Sequence, residues 1–111
     1  MDLVDNINNL AKAIKETDQY KDYKEAKDKF EEDPKARGLL NEFQEAKSEL
    51  AILKDGGFDG FEKQKKKVNK LSNKVLEKKE IQDYMKARQK YKNLVEQVAA
   101  SLSDKIDFPI T

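Results

Sequence analysis

Apolar residues recur at alternating steps of three and four along most of the chain, and this spacing is typical of amphipathic helices. The pattern is strongest over residues 33–79, where it predicts two antiparallel helices joined by a glycine-rich turn at 55–60. Asp33 and Pro34 open the first arm, because an acidic cap and a proline in the first turn both favour a helix start. The stripe of this arm consists of Ala36, Leu39, Phe43, Ala46, Leu50 and Leu53, widened by Leu40 and Ile52.

The return arm repeats this spacing with Phe61, Gln64, Val68, Leu71 and Val75, and Leu76 lies beside them. In the turn, we expect Gly56 and Gly57 to adopt the left-handed conformations that end a helix, and Asp59 to cap the return helix. Each arm has about 20 residues and therefore a length of roughly 30 Å. We expect the rest of the chain to pack on this central hairpin.

Residues 1–32 contain two shorter periodic segments. Asp2 can cap a first helix that ends near Glu16, and Thr17 can cap a second one. The spacing is compatible with either a kink or a short break at Thr17. The first stripe consists of Leu3, Ile7, Leu10 and Ile14, with Ala11 alongside, and the second of Tyr20, Tyr23, Ala26 and Phe30.

The last periodic segment predicts the longest helix, from about Glu80 to Lys105, after a corner within residues 76–80. Its stripe consists of Ile81, Tyr84, Ala87, Tyr91, Leu94, Val95, Val98 and Leu102. Pro109 prevents regular helix in the tail, 106–111, where Phe108 and Ile110 can still dock. The predicted fold is all-α and has one domain: an antiparallel helical hairpin with two long arms, flanked by N- and C-terminal helices in a small helical bundle.

An internal repeat relates the second helix to the last one. Residues 20–30 align without gaps on residues 81–91, with Asp, Tyr, Ala and Lys at equivalent places. The match reflects either a duplication or convergent helical patterning. In both cases it predicts similar packing roles for the two helices, with tyrosine rings buried and hydroxyl groups near polar partners.

Composition adds an expectation about assembly. Hydrophobic residues make up 37% of the 111 positions and charged residues 41%, so each long helix has only a narrow apolar stripe. Such helices bury little surface alone, and we therefore predict a homodimer. The residues expected to pack or interact are Tyr20, Tyr23, Phe30, Tyr84, Tyr91, Val95, Val98 and Leu102.

The chain contains no cysteine and no histidine. This excludes zinc sites of the Cys/His type, thiolate-held iron–sulfur clusters, cysteine nucleophiles and histidine bases. Residues 1–5 lack a basic leader pattern, and no apolar run approaches the roughly 20 residues of a transmembrane segment. A cytoplasmic location is the resulting default.

The net charge of +1 hides a strongly basic second arm, because residues 60–79 contain eight lysines and two glutamates. Helical spacing aligns five of these lysines as a lysine ridge: Lys63, Lys66, Lys67, Lys70 and Lys74. The ridge suits phosphate groups of nucleic acid or anionic lipid. A solvated face that balances the acidic front half is the favoured interpretation, since the ridge has neither arginines nor interleaved aromatic residues.

Other constellations predict no chemistry. Glu42, Glu45 and Glu49 have helical neighbour spacing, but without histidine they match neither a di-metal carboxylate bundle nor a glycosidase pair. The glycine-rich turn follows a helix rather than a strand and has no Gly-Lys-Ser/Thr ending, so it does not match a phosphate loop. We therefore predict no catalytic residues, no metal and no cofactor.

Several stretches resemble the YlbF/YmcA/YheA family of small bacterial regulators, namely residues 10–17, 20–26, 33–34, 40–44 and 84–97. The resemblance implies an all-helical, often dimeric fold without enzymatic activity. It also implies regulation of competence, sporulation and biofilm formation, in some members through a complex that acts with a membrane-associated ribonuclease. Some relatives bind iron–sulfur clusters through cysteines, and that role does not carry over to a chain without cysteine.

The sequence thus predicts a non-enzymatic helical adaptor that acts by protein–protein association. The alternative is a nucleic-acid-binding helical module that uses the basic segment Lys63–Lys79. An enzyme is the third and least favoured hypothesis.

Overall fold

Five α-helices account for nearly all of residues 2–57 and 59–109, which are the residues that the computed structural model describes. They are α1 (Leu3–Lys15), α2 (Asp18–Glu31), α3 (Pro34–Gly56), α4 (Phe61–Glu77) and α5 (Lys79–Ile106). No strand occurs in this part of the chain. The predicted all-α fold class is therefore confirmed.

Side-chain caps start the first three helices where the sequence places them. Asp2 Oδ1 accepts a hydrogen bond from the Asp5 N–H at 2.8 Å, and Asp33 Oδ1 accepts from the Ala36 N–H at 3.2 Å. Thr17 Oγ1 accepts from the Tyr20 N–H at 3.3 Å, and its backbone is extended at ψ 153°. Thr17 therefore marks a short break between two helices rather than a kink in one helix.

The hairpin turn differs from the prediction in its glycines. Gly56 still belongs to α3, and only Gly57, at φ 63°, adopts the left-handed conformation that ends this helix. Gly60, at φ 93°, holds the N-cap position of α4 without a side-chain cap, so Asp59 does not cap that helix. A left-handed φ at the cap favours a residue without Cβ, which explains the glycine. Phe58 lies outside the described residues.

The helices form two antiparallel pairs, α3 with α4 and α2 with α5. The expectation that everything packs on the α3–α4 hairpin was wrong, because α2 and α5 pack mainly against each other. Aromatic side chains explain this preference, since α2 and α5 offer each other large flat rings. In the hairpin, Gln64 Nε2 links the arms by donating to the Ala46 carbonyl oxygen at 3.0 Å and to Glu49 at 3.2 Å.

A small core forms where the two pairs meet. Its buried members are Phe30, Ala36, Leu40, Val75 and Ile81, against which Leu39, Phe43 and Tyr84 pack. Lys78, in an extended conformation, is the joint between α4 and α5, and Gln82 Nε2 spans that joint by donating to the Val75 carbonyl oxygen at 3.2 Å. The core is thus built from one end of each pair, and the other end of α2–α5 extends away from it.

The molecule is flat, with extents of 59 × 38 × 17 Å. Its shortest extent is less than a third of its longest, so most side chains lie near solvent. Phe108 is exposed, so the docking that the sequence allowed does not occur, and Ile110 lies beyond the described part of the chain.

Candidate interaction surface

A seam of five aromatic side chains joins α2 to α5. Phe30 stacks on Tyr84 with ring centroids 4.5 Å apart, Tyr23 stacks on Tyr91 at 4.9 Å, and Tyr20 meets Tyr91 edge-on at 5.5 Å. Each such ring pair contributes about 0.5–1.5 kcal/mol in addition to the free energy gained by burying its apolar area. These five predicted residues therefore lie in an intramolecular interface of the chain.

The relative direction of α2 and α5 determines which segments lie at the end of this pair that is remote from the small core. The start of α2 meets α5 at Tyr91, and the end of α2 meets α5 at Tyr84. Residues that precede Tyr20 and residues that follow Tyr91 must therefore lie at the same end of the molecule. These segments are α1 and the second half of α5, and this end is opposite the small core.

Large apolar side chains are exposed at this end and form what we call the distal apolar surface. Its members are Leu3, Val4, Ile7 and Leu10 of α1, Val95, Leu102 and Ile106 of α5, and Phe108. Their exposure ranges from 39% for Val95 to 75% for Leu3. They make up eight of the eleven exposed large hydrophobic residues in the described chain, so most of these residues lie on the two helices at this end.

The two halves of the distal apolar surface do not cover each other. Helix α1 has no buried residue, and no Cα atom of α1 lies within 8 Å of a Cα atom of α5 among the residues described. Val98 is half-buried beside the exposed residues of α5. Two apolar stripes thus face solvent at the same end, which in soluble proteins is typical of an interaction site.

A groove of about 680 Å³ runs along the α2–α5 pair, and Ala26 and Ala87 are among its lining residues. Each residue that lines it from α2 has a counterpart 61 positions later on α5, as in Asp22 and Asp83 or Lys29 and Lys90. The groove therefore has a pseudo-two-fold lining, which supports the internal repeat in the sequence. Its charges are of both signs, so it does not select an ion of one sign.

All five lysines of the lysine ridge are exposed on α4: Lys63, Lys66, Lys67, Lys70 and Lys74. The four ion pairs between described side chains lie instead on α2 and α5 and join residues four apart. In one of them Lys24 Nζ donates a hydrogen bond to Asp28 at 3.1 Å, which raises the pKa of Lys24. The ridge thus projects five positive charges without a bound carboxylate among the residues described.

Comparison with known proteins places this architecture in a family. Residues 3–107 match the family model described as control of competence regulator ComK, YlbF/YmcA. The chain belongs to the YlbF/YmcA family. This confirms the resemblance, and the match includes both α1 and the second half of α5.

Relatives of this YlbF/YmcA-family chain are bacterial proteins of nearly the same length. A UPF0342 protein of Symbiobacterium thermophilum is 27% identical over 105 residues, which are 95% of this chain and 94% of the relative. A UPF0342 protein of Caldicellulosiruptor bescii is 24% identical over 99 residues, covering 89% and 83% of the two chains.

A solved structure of similar fold is the X-ray structure of Bacillus subtilis RicA in complex with RicF. The two folds superpose with a TM-score of 0.72, at 13% sequence identity, over 95% of this chain and 93% of the other. At that identity the likeness establishes the shared fold. In that crystal structure the named proteins form a complex with each other.

Two further findings concern the described residues of this YlbF/YmcA-family chain. No three histidine, cysteine, aspartate or glutamate side chains are grouped closely enough to hold a metal ion. None of the described helices is long and apolar enough to cross a membrane.

The predicted interaction residues divide into two groups. The five aromatic residues form the seam, whereas Val95 and Leu102 belong to the distal apolar surface and the half-buried Val98 lies beside them. The four exposed apolar residues of α1 were not among the predicted interaction residues, although the stripe of the first helix contains three of them. Periodicity identifies an apolar face, but it does not reveal that most of this face stays exposed in its own chain.

Proposed function

We propose that this chain is a non-enzymatic regulatory adaptor that acts by protein–protein association and forms a homodimer. The observation that carries the proposal is the distal apolar surface, where apolar stripes from α1 and α5 are exposed together. Water disfavours such a surface, and covering it with another protein chain relieves that cost.

The solvent-accessible area of the chain is large enough to supply an extensive interface with another protein chain. The chain exposes 8836 Å², whereas a monomeric protein of 12.8 kDa typically exposes roughly 6,300 Å². The excess is on the order of 2,500 Å² per copy, or about 5,000 Å² for two copies, which reaches the upper part of the total area that obligate homodimers bury.

Burying the distal apolar surface yields enough free energy to offset the cost of association. Covering a half-exposed valine, leucine or isoleucine contributes about 1 kcal/mol, so sixteen side chains in two copies contribute on the order of 16 kcal/mol. Association costs roughly 4–15 kcal/mol in lost translational and rotational freedom. Apolar burial at this surface is therefore large enough to drive dimer formation.

Family membership supports the regulatory part of the proposal. The family model is described as control of a competence regulator, and a protein of the same fold has been solved in complex with a second protein. We propose that this chain contributes to decisions such as competence, sporulation and biofilm formation by binding protein partners. Its cytoplasmic location stays a prediction.

The test is the molar mass in solution, measured by light scattering from micromolar to millimolar concentrations. We expect twice the chain mass of 12.8 kDa over most of this range. A chain that stays monomeric at all concentrations would contradict the homodimer. A folded dimer that captures no specific protein from cells of its own species, with or without nuclease treatment, would contradict the adaptor role.

A further inference from the structure

The apolar residues of the α1 stripe have the same spacing when they are counted from either end of the helix. Leu3, Ile7, Leu10 and Ile14 are separated by steps of four, three and four, so the stripe is symmetric about the point between Asn8 and Asn9. A second copy of α1 that runs in the opposite direction presents the same spacing. Leu3 of one copy then lies level with Ile14 of the other, and Ile7 with Leu10.

The charges of α1 distinguish an antiparallel pair from a parallel pair. Asp2 and Asp5 lie at the start of the helix, and Lys12 and Lys15 lie in its last turn. In an antiparallel pair the acidic end of each copy lies level with the basic end of the other. Asp5 and Lys12 point away from the stripe, so these charges favour the orientation at long range and not through direct ion pairs. The helix dipoles also oppose each other in this arrangement, whereas parallel packing brings like charges and like dipole ends together.

The exposed face of α1 is available for such a pair. Leu3, Ile7 and Leu10 are each at least 42% exposed, whereas Ile14, near the contact with α2, is half-buried. Helix α1 does not approach α5 within the described chain. Since its stripe has spacing suited to side-chain interdigitation, a second α1 matches it in length, pattern and charge.

We propose that α1 pairs antiparallel with α1 of a second copy, about a two-fold axis that passes between Asn8 and Asn9. This rests on the proposed homodimer and specifies its interface. The pair is only about 20 Å long, as expected for 13 residues, so it cannot bury the whole area that a stable dimer requires. The exposed stripe of α5 lies at the same end and supplies the remaining contact area.

The chain has no cysteine, which makes disulfide formation between introduced cysteines a direct test. The test variant carries Leu3→Cys and Ile14→Cys together. These positions are about 16 Å apart along one helix, too far for a disulfide within a copy. In the antiparallel pair, the cysteine introduced in place of Leu3 lies level with the one introduced in place of Ile14 of the other copy. We therefore expect a covalent dimer under mild oxidation, seen by non-reducing electrophoresis.

Two controls identify the orientation and the face. The single variants Leu3→Cys and Ile14→Cys should remain uncrosslinked, because equal positions are about 16 Å apart in an antiparallel pair. The double variant Asp5→Cys/Lys12→Cys has the same symmetry about the axis, but both positions lie on the side of α1 opposite its stripe. It should form at least tenfold less covalent dimer than the test variant.

Each outcome has a defined meaning. Covalent dimers of the single variants would indicate parallel packing and overturn the inference, as would equal crosslinking of the control at Asp5 and Lys12. A chain that is dimeric by light scattering but forms no disulfide in the test variant would place the interface elsewhere and leave the proposed homodimer intact. A monomeric unmodified chain would overturn both proposals.

A second pair of variants covers the case in which Ile14→Cys lowers the helix content measured by circular dichroism. A tagged chain with Ile7→Cys is mixed with an untagged chain with Leu10→Cys, both at exposed positions. We expect the mixed covalent dimer to form faster than either self-linked dimer. The opposite order would overturn the antiparallel pairing.

Discussion

Ile81 is fully buried although it lies in the first turn of the longest helix. It belongs to the cluster in which Phe30, Leu40 and Val75 meet, so it contacts the place where both helix pairs are joined. A few such residues stabilise the whole arrangement, because the flat shape leaves most side chains partly exposed.

We expect Ile81→Ala to lower the free energy of unfolding by about 2–5 kcal/mol, because it removes a buried side chain and leaves a cavity. Ile52→Ala is the matched control, since Ile52 is also helical but 62% exposed, and its effect should stay within about 0.5 kcal/mol. Urea denaturation followed by circular dichroism measures both. Equal losses for the two variants would contradict the assigned core.

At the scale of elements, the conformation at the end of α3 depends on Gly57. Its φ of 63° is unfavourable for a residue with Cβ, although nothing lies within 4 Å of the place where a Cβ would be. The cost of a substitution there is therefore conformational rather than steric. Gly38 has the same open surroundings but no positive φ and lies inside α3.

We expect Gly57→Ala to destabilise the fold by about 1–2 kcal/mol, the cost of a left-handed conformation for an L-residue. Gly38→Ala should stabilise it by up to about 1 kcal/mol, since alanine is the better helix former. Thermal or urea unfolding of both variants gives the comparison. A stabilising Gly57→Ala would mean that this turn does not require the left-handed conformation.

The two leading functional hypotheses differ in the role that they give to the lysine ridge of α4. We expect the triple variant Lys66→Gln, Lys67→Gln and Lys70→Gln to stay folded and to keep its protein associations, because isolated surface charges contribute roughly 0–1 kcal/mol each. Circular dichroism and light scattering check this expectation, and titration with RNA at several salt concentrations checks the alternative.

The control replaces three exposed lysines on three other helices, Lys21, Lys54 and Lys90, by glutamine, so that the loss of charge is the same. Tight RNA binding of the unmodified chain at physiological salt, lost in the ridge variant but not in this control, would support the nucleic-acid alternative. The slope of binding against salt would then fall by about one unit for each lost phosphate contact.

The whole molecule is more extended than its length requires. Its radius of gyration is 19.1 Å, whereas a compact domain of 111 residues has about 13 Å. The α2–α5 pair continues beyond the core into α1 and the second half of α5, and this extension is where apolar residues are exposed. The shape and the exposed surface thus have the same origin, and both are consistent with one half of a larger assembly.

We expect Val98→Asp to raise the dimer dissociation constant at least tenfold, because it places an unpaired charge among the apolar residues of the interface. Gln97→Asp is the control, as it adds the same charge at the neighbouring exposed position. Light scattering measures the dissociation constant, and circular dichroism establishes that the helices persist. An unfolded Val98→Asp chain would assign Val98 to the intramolecular core, and an unchanged dimer would place the interface away from it.

Local features of the sequence determined the helices. Alternating steps of three and four, the side-chain caps at Asp2, Thr17 and Asp33, and the glycines of the turn act within about one helical turn of themselves. For that reason the all-α class could be predicted, as could a cap at Thr17, whereas the choice between a kink and a break there was left open. The turn glycines were assigned less well, because a left-handed conformation at Gly57 or at Gly60 depends on how the two arms approach each other.

Tertiary structure alone decided which stripes meet. A stripe requires burial, but its sequence does not specify the partner, so the pairing of α2 with α5 and the exposure of α1 could not be read from spacing. Ile52 and Leu76 illustrate the same point, since both extend predicted stripes yet remain exposed, at 62% and 63%. In a molecule only 17 Å thick each helix has few neighbours, and the side of a stripe that faces none of them stays in solvent.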